Sequence, residues 1–237
     1  NPITGQLFSI PSLDMGGYAD LRFILREGGS MGDLYSRTDL RRDANGAIYM
    51  DESNNVYTQK IDNPDSYIKL GSVLPKGNLA WRNNFMWKNF HVGFMISARL
   101  GGVVFSRTQA ILDKFGVSEA SADARDNGFV LINGNDRVNP ENWYTTVGST
   151  AVPQYYTYSA TNVRLQEASI GYTIPRKWLA NVCDIKVSLI GRNLWMIYNK
   201  APFDPEAVAS TDNFYQGIDN FMMPSLRNVG FSLNFKF

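Results

Sequence analysis

The residues that could bind a metal ion are concentrated in the stretch DANGAIYMDE, at positions 43–52. Asp43, Asn45 and Asp51 surround a glycine there, and oxygen-rich loops that contain glycine can bind calcium. The spacing of an EF-hand is not met, because the twelfth position of such a loop holds Asn54 instead of an acidic residue. We therefore expect a polar turn between short strands, and no cofactor.

Hydrolytic chemistry has few residues to draw on. His91 is the only histidine, and its place beside a predicted turn favours a structural role. The sequence contains no G-x-S-x-G elbow and no phosphate-binding loop. A glycosidase pair of carboxylates stays a possible alternative, because its two members can be distant in sequence and close in the fold. The carboxylates are scattered along the chain: Asp113, Asp123, Asp126, Asp136, Glu141, Asp204 and Glu206. The sequence predicts a protein that is not an enzyme.

Composition narrows the class of protein further. The chain has 237 residues and a net charge of +1, so nothing favours a nucleic-acid partner. A single cysteine, Cys183, excludes an internal disulfide framework. No run of about 18 apolar residues is present, so no transmembrane helix is predicted. Twenty glycines and 13% aromatic residues favour strands joined by polar loops.

The clearest strands lie in LAWRNNFMWKNFHVGFMISARLGG, at positions 79–102. Apolar and polar residues alternate in both halves, and Lys88 and Asn89 form the predicted turn between them. A period of two places side chains on opposite faces of a strand, whereas a helix would spread them around its circumference. The second half spans about 11 residues, the length that a tilted strand needs to cross a bilayer.

Further strands are predicted on the same grounds. They are YADLRFILR at 18–26, GDLYSRTDL at 32–40, NVRLQEASIGYTI at 162–174, DIKVSLIGRNLWMIY at 184–198 and NVGFSLNFKF at 228–237. Asn193 interrupts the apolar side of its strand.

The strand at 162–174 changes parity halfway. Either its first part lies outside the apolar zone, or a β-bulge near Gln166 and Glu167 returns its apolar residues to one face. That bulge would place Arg164 on the polar face, which also carries Arg82, Arg99, Arg192, Asn234 and Lys236.

The connections between these strands alternate in length. Short joins are predicted at 27–31, 88–89 and 175–183, and long joins at 41–78, 101–161 and 199–227. Outer-membrane barrels show this asymmetry, with short periplasmic turns and long extracellular loops, so the C-terminus is predicted to be periplasmic. Because closed barrels begin at about 8 strands and an open edge in hydrocarbon leaves backbone groups unpaired, these strands are expected to belong to a larger barrel.

Four stretches carry a more specific signal: LGSVLPKGNLAWRNNFMWKNFHVGFMISARLGG, YSATNVRLQEASIGYTIP, GRNLWMIYNKAPFDPE and QGIDNFMMPSLRNVGFSLNFKF. They resemble the C-terminal part of SusC-like, or RagA-like, TonB-dependent outer-membrane transporters of Bacteroidetes, over Tyr18 to Phe237. The resemblance implies an all-β fold, an antiparallel transmembrane β-barrel segment of about seven strands out of roughly 22. It implies that residues 1–237 are the C-terminal part of that barrel, without its plug domain and first strands.

The resemblance also implies a function. The parent protein would import nutrients actively across the outer membrane, most often oligosaccharides and sometimes peptides, with energy delivered by TonB through a region outside this chain. Its partners would be a SusD-like surface lipoprotein and outer-membrane lipid. The alternative is a soluble carbohydrate-binding β-domain without transport activity, which predicts shorter loops and a polar C-terminal tail.

Within this framework, the long loops hold the candidate substrate contacts. Sugar rings pack well on aromatic side chains, and the candidates are Trp143, Tyr144, Phe214 and Tyr215. Packing or a membrane-interface belt is the preferred role of Tyr155, Tyr156 and Tyr158. The stretch 105–127 predicts two short helices, the second capped by Ser118, that either contact substrate or the lipoprotein or pack over the barrel mouth.

The last strand resembles the signal that the barrel-assembly machinery reads. An aromatic residue ends a long alternating strand, and the residues that fit the signal are Gly230, Leu233, Phe235 and Phe237.

Overall fold

The structure is a computed structural model that describes residues 12–149, 152–179, 182–212 and 215–236. Its strands are β1 (Ser12–Tyr18), β2 (Leu21–Arg26), β3 (Asp33–Ser36), β4 (Thr38–Leu40), β5 (Thr58–Lys60), β6 (Ile68–Ser72), β7 (Gly77–Trp87), β8 (Phe90–Leu100), β9 (Val103–Ser106), β10 (Val130–Ile132), β11 (Asp136–Val138), β12 (Thr157–Ser159), β13 (Asn162–Ile174), β14 (Asp184–Asn199), β15 (Ile218–Asp219) and β16 (Asn228–Lys236). The α-helices are α1 (Arg107–Lys114), α2 (Glu119–Asn127) and α3 (Pro140–Val147), and 3-10 helices cover Pro64–Ser66, Pro153–Tyr156 and Arg176–Trp178. Strands predominate, which confirms the predicted all-β class.

The chain forms two compact units. Among the described residues, the first unit contains those up to Leu74 together with Val103–Tyr158 and Val208–Met222. The second unit contains Pro75–Gly102, Ser159–Ala207 and the residues from Met223 onward.

An antiparallel sheet of five strands, in the order β16-β14-β13-β8-β7, makes up most of the second unit. Its hairpin β7–β8 begins with the pair Trp87 and Phe90, so Lys88 and Asn89 form the turn, as predicted. Lys88 has a φ of 52°, a left-handed backbone conformation that tight turns use. The second strand, β8, is 11 residues long, which confirms the length predicted for it, and β7 is also 11 residues long.

A β-bulge at Gln166 explains the change of parity in β13. Leu165 pairs with Ile96 and Glu167 pairs with Met95, so one extra residue of β13 lies between consecutive positions of β8. A single inserted residue exchanges the two faces of a strand. The bulge therefore brings all the apolar residues of β13 to one face, as predicted.

The two predicted strands nearest the N-terminus do not extend this sheet. The region 18–26 is divided by a turn in which Ala19 has a φ of 51°, and the region 32–40 is divided at Arg37. β2 and β3 do pair, but they belong to a four-stranded sheet β1-β2-β3-β6 in the first unit. Five of the predicted strands therefore share a sheet, and the predicted continuous row of about seven is not formed by the described residues.

The first unit has its own apolar core. Its central members are buried side chains from the four-stranded sheet, from β9 and β15, and from the helices: Leu21, Phe23, Leu34, Phe105, Ala110, Val147, Tyr156 and Ile218. Around this core, β9 lies between β12 and β15, and the pairs β4–β5 and β10–β11 form two-stranded ribbons.

Side-chain caps start the helices of the first unit. The hydroxyl of Ser106 accepts a hydrogen bond from the backbone N of Gln109 at the start of α1, at 3.0 Å. Ser118 caps α2 in the same way by accepting from the backbone N of Ser121, which confirms the predicted cap. The third helix, α3, was not predicted, although Asn139 followed by Pro140 is a helix-start signal. No α-helix among the described residues is both long enough and apolar enough to span a membrane.

Candidate functional site

The five-stranded sheet has one apolar face that stays exposed. The cross-strand register places on this face Leu79, Trp81, Phe85, Trp87, Phe90, Val92, Ile170, Val187, Leu189, Trp195, Phe231, Leu233 and Phe235. Each of these side chains is exposed, with Phe231 at 78% and Trp81 at 60%. An exposed apolar patch of this extent indicates a surface that contacts an apolar medium or a partner.

Aromatic rings gather at the hairpin end of this face. The ring centroids of Phe90 and Tyr172 are 4.8 Å apart, and those of Trp87 and Phe90 are 6.5 Å apart. Lys88 lies with its ammonium 5.1 Å from the ring of Trp87. Aromatic and basic residues at the end of an apolar band are typical of a membrane interface.

The opposite face of the sheet is polar and partly ion-paired. Glu167 forms contacts with Arg82 at 3.4 Å and with Arg192 at 3.6 Å. His91 shares a hydrogen bond of 2.8 Å with the hydroxyl of Thr173, which agrees with the predicted structural role of this histidine. The register also assigns to this face the predicted members Arg99, Asn234 and Lys236.

Arg164 joins the polar face, as the bulge predicted, and it is buried with 3% exposure. Its Nη2 atom lies 2.9 Å from Asp204 Oδ1 and 3.1 Å from Glu206 Oε2. Its Nε donates to Asn162 Oδ1 at 3.2 Å. Two carboxylates from the join after β14 therefore neutralise a buried arginine of the neighbouring strand.

Asn193 completes this arrangement, which we call the Arg164 cluster: Asn162, Arg164, Asn193, Asp204, Glu206 and Ser225. The side chain of Asn193 accepts from Arg164 at 3.4 Å and donates to the carbonyl of Ser225 at 3.1 Å. Ser225 also hydrogen-bonds to Asp204. The residue that interrupts the apolar pattern of β14 is thus a structural link between the sheet and the segment before β16.

The charge of Asp204 is stabilised by the Arg164 cluster. Burial raises the pKa of this carboxyl, but hydrogen bonds from Ser225 and Arg164 outweigh burial and hold the pKa below its ordinary value of 3.8. Sequence reasoning placed Asp204 and Glu206 among scattered carboxylates. The stretch GRNLWMIYNKAPFDPE could have indicated the cluster, because its polar residues Asn193, Asp204 and Glu206 lie within and after an apolar strand.

The predicted substrate contacts lie in different places. Trp143 is partly buried, packs against the cluster of Val56, Ile132 and Val138, and lies edge-on to Tyr155 with 5.6 Å between ring centroids. Tyr144 lies near a cavity of about 320 Å³ among the three α-helices, and its hydroxyl donates to the carbonyl of Ala120 at 3.0 Å. Phe214 lies outside the described residues. The role of these residues in substrate contact stays a prediction.

Tyr215 lines a separate cavity. It is 47% exposed and faces a space of about 220 Å³ that Tyr18, Arg107 and Asn220 also line. Arg107 was not singled out from the sequence, because its neighbours in this cavity come from distant parts of the chain. Tyr144 and Tyr215 therefore belong to different cavities of the first unit.

Of the three tyrosines assigned to packing or a membrane-interface belt, Tyr156 and Tyr158 lie in or against the apolar core, whereas Tyr155 is 37% exposed. Tyr156 is 3% exposed, and its hydroxyl donates to Asp113 Oδ2 at 3.0 Å. Burial and the nearby Asp113 raise the pKa of Tyr156. Tyr158 packs against the same apolar core.

Replacing Tyr156 with phenylalanine is expected to lower the free energy of unfolding by about 1–3 kcal/mol, because a buried carboxylate loses a hydrogen-bond donor. Asp113 would keep the bond that it accepts from Gln109, at 2.9 Å. Urea unfolding of the full-length protein in detergent measures the change. The matched control is Tyr144→Phe, whose exposed hydroxyl bond should contribute about 0.5 kcal/mol or less. Equal losses in the two variants would contradict this account.

The stretch 43–52 forms polar turns, as expected. Asp43 accepts hydrogen bonds from the backbone N of Asn45 and of Ala47, at 2.8 and 3.0 Å. Asp51 accepts from the backbone N of Asn55 at 2.8 Å. Over the described part of the chain, no group of three or more His, Cys, Asp or Glu side chains is arranged to hold a metal ion.

Three of the four residues proposed as an assembly signal, Gly230, Leu233 and Phe235, lie in β16, at the edge of the five-stranded sheet. Leu233 pairs with Val187 and Phe235 pairs with Ile185, so both lie on the apolar face. Gly230 pairs with Ile190 on the polar side. Phe237 lies outside the described residues, and the recognition of this strand by the assembly machinery stays a prediction.

Comparison with known proteins gives one curated relative and several structures. The TonB-dependent receptor P3 of Formosa agariphila is 27% identical to the chain over 207 residues, which is 82% of the chain and 19% of that protein. No family model matches the chain. The chain thus spans about a fifth of the length of this relative.

Structures of the RagAB peptide importer share the fold. A chain of its "closed-closed" state matches with a TM-score of 0.55 and 15% identity, over 98% of this chain and 25% of that one. The "open-open" state matches with a TM-score of 0.58 and 13% identity, over 95% and 28%.

Proposed function

We propose that this chain, a homologue of a TonB-dependent receptor, forms part of the wall of a β-barrel that imports nutrients across the outer membrane. The observation that carries the proposal is the exposed apolar face of the five-stranded sheet, which lies opposite a face of charged and polar side chains. In a membrane barrel, one face of each strand contacts lipid and the other faces the lumen. Both faces of this sheet meet that requirement.

The two edge strands of the sheet have backbone groups that would lack hydrogen-bond partners in a membrane. Among the described residues, β7 pairs only with β8, and β16 pairs only with β14. Backbone groups left unpaired in hydrocarbon cost several kcal/mol each. Further strands of the full-length protein would therefore pair at both edges, within a barrel of roughly 22 strands that encloses a plug. In that barrel, residues 1–237 are the C-terminal part.

The connections support an orientation. The turn at 88–89 and the join at 175–183 leave one end of the sheet, and the joins at 101–161 and 199–227 leave the other. The short end would face the periplasm, together with the C-terminus, and the long joins would be extracellular. The first unit, to which most of the residues of these long joins belong, would meet substrate and a SusD-like lipoprotein. TonB would act through the region outside this chain.

Oligosaccharides are the proposed substrates, with peptides as the second class. The aromatic side chains of Trp143, Tyr144 and Tyr215 support the first class, and the RagAB structures are those of a peptide importer. The similar proteins have the names of a receptor and an importer, and we propose that the chain has no enzymatic activity. The alternative, a soluble carbohydrate-binding domain, would not be expected to expose so large an apolar face to water.

Fractionation and uptake assays test the proposal. The full-length protein should appear in the outer membrane and should require detergent for extraction. Cells that express it should take up labelled oligosaccharide or peptide, and deletion of TonB should abolish that uptake. Recovery of a soluble monomer without detergent, or equal uptake with and without TonB, would refute the proposal.

A further inference from the structure

A cavity of about 220 Å³ lies at the start of α1 in the first unit. Two tyrosine rings, Tyr18 and Tyr215, form part of its wall, and Arg107, Ser210 and Asn220 supply polar groups. Sites for whole drug-sized ligands occupy about 300–1,000 Å³, so this cavity suits one sugar ring or one amino-acid residue of a longer ligand.

Arg107 provides the charge of this cavity. Its guanidinium carbon lies 4.4 Å from the centre of the Tyr18 ring, which fixes the orientation of the planar group. Its Nη1 donates to Asn220 Oδ1 at 3.3 Å, while its buried Nε has no hydrogen-bond partner among the described residues. A guanidinium carries five N–H donors, so the bond to Asn220 leaves most of them without a hydrogen-bond partner among the described residues.

No described carboxylate pairs with Arg107, in contrast to Arg164, whose charge Asp204 and Glu206 neutralise. The acidic residue nearest in sequence to Asn220 is Asp219, which is buried and accepts a hydrogen bond from Ser106 at 2.7 Å. Asp219 does not line the cavity. The cavity therefore presents a positive charge between aromatic walls.

We infer that this cavity binds a carboxylate carried by a group of the size of one sugar ring or one amino-acid residue. The planar guanidinium matches the two oxygens of a carboxylate, and the tyrosine rings would pack against the attached group. Asn220 and Ser210 would hydrogen-bond its polar atoms. A uronic acid at the end of an oligosaccharide and the C-terminus of a peptide both supply this chemistry. The inference rests on the proposed function, since the ligand would be one end of the imported substrate.

Matched probes test the inference on the full-length protein in detergent. Titration calorimetry would compare methyl glucuronide with methyl glucoside, and acetyl-alanyl-alanine with its amide. At least one acid should bind about tenfold more tightly than its neutral counterpart, the effect expected for one charged hydrogen-bonded contact. The pair that shows the preference identifies the source of the carboxylate. Equal affinity for acid and neutral probe in both pairs would overturn the inference.

Variants locate the site. Arg107→Gln should lower the affinity for the acid about tenfold and remove the preference over the neutral probe. The control is Arg137→Gln, because Arg137 also stacks on an aromatic ring in the first unit, at 4.3 Å from Phe129, but lies outside this cavity. Tyr215→Leu keeps the charge and should weaken the acid and the neutral probe alike. Equal affinities in the Arg107 and Arg137 variants would overturn the assignment.

The two proposals fail in different experiments. If the wild-type protein shows TonB-dependent uptake but no preference for acids, the carboxylate site is wrong and the import function stands. If the acid preference is present and uptake does not depend on TonB, the import function is wrong and the binding site stands.

Discussion

Replacement of Arg164 with methionine should lower the free energy of unfolding by about 3–5 kcal/mol, the range for breaking a buried ion pair by removing one partner. Methionine fills a similar space but leaves the carboxylate of Asp204, with 7% of its side chain exposed, without its cation. Urea unfolding of the full-length protein in lipid vesicles measures the change. The control is Arg82→Met on the same polar face, where the arginine is 61% exposed and pairs with Glu167 at 3.4 Å. An exposed pair contributes about 1 kcal/mol or less.

Acid unfolding gives a second measure of the same cluster. Because the pKa of Asp204 is held below 3.8, its ionised form stabilises the folded chain at every pH above that value. This contribution is lost as the pH falls through the lowered pKa. Removal of Arg164 should raise the pKa of Asp204 and shift the loss to higher pH. Similar losses in Arg164→Met and Arg82→Met, with no shift in acid unfolding, would contradict the role of the cluster.

Replacing Phe231 with arginine should lower the free energy of unfolding in a bilayer by about 2–4 kcal/mol, because Phe231 lies on the face assigned to lipid. Phe231 is 78% exposed and pairs with Leu189 across the middle of the β14–β16 ladder. The matched control is Ser232→Arg, one residue along the same strand and on the polar face. Unfolding from lipid vesicles and the amount of protein in the outer membrane measure the two effects.

The same pair of variants separates a barrel wall from a soluble domain. On a soluble sheet, Phe231→Arg would replace an exposed apolar side chain with a charged one, and its effect would stay within about 0.5 kcal/mol. A loss for Phe231→Arg with little change for Ser232→Arg supports the barrel. Little change in both variants would count against it.

The long strands were predictable from the sequence because their apolar and polar residues alternate regularly. A period of two over eleven residues in β7 and β8 specifies both strands and the turn at Lys88 and Asn89. The bulge at Gln166 was predictable for the same reason, since one inserted residue is the simplest way for a single strand to change parity. The matches to a TonB-dependent receptor and to RagAB confirm the resemblance that these stretches carry.

The first unit was less predictable because local contacts shape it. The hydroxyl of Ser36 donates to the carbonyl of Thr38 at 2.6 Å, and this bond accompanies the break between β3 and β4. The Arg164 cluster and the Arg107 cavity were hidden for a different reason. Each brings together residues far apart in the sequence, 40 positions for Arg164 and Asp204 and 113 positions for Arg107 and Asn220. A local stretch such as GRNLWMIYNKAPFDPE can mark one part of a cluster, but it does not show which distant residue pairs with it.

The bulge at Gln166 also indicates which insertions and deletions the strands of this chain tolerate. In a strand with one apolar and one polar face, a single inserted or deleted residue moves every later side chain to the opposite face. Gln166 is such an inserted residue in β13. It places Val163 and Leu165 on the same apolar face as the residues that follow it. Lineages of this protein should therefore gain and lose residues freely in the long joins, but within the strands only by compensated pairs. Loss of Gln166 alone would turn the charge of Arg164 toward the membrane.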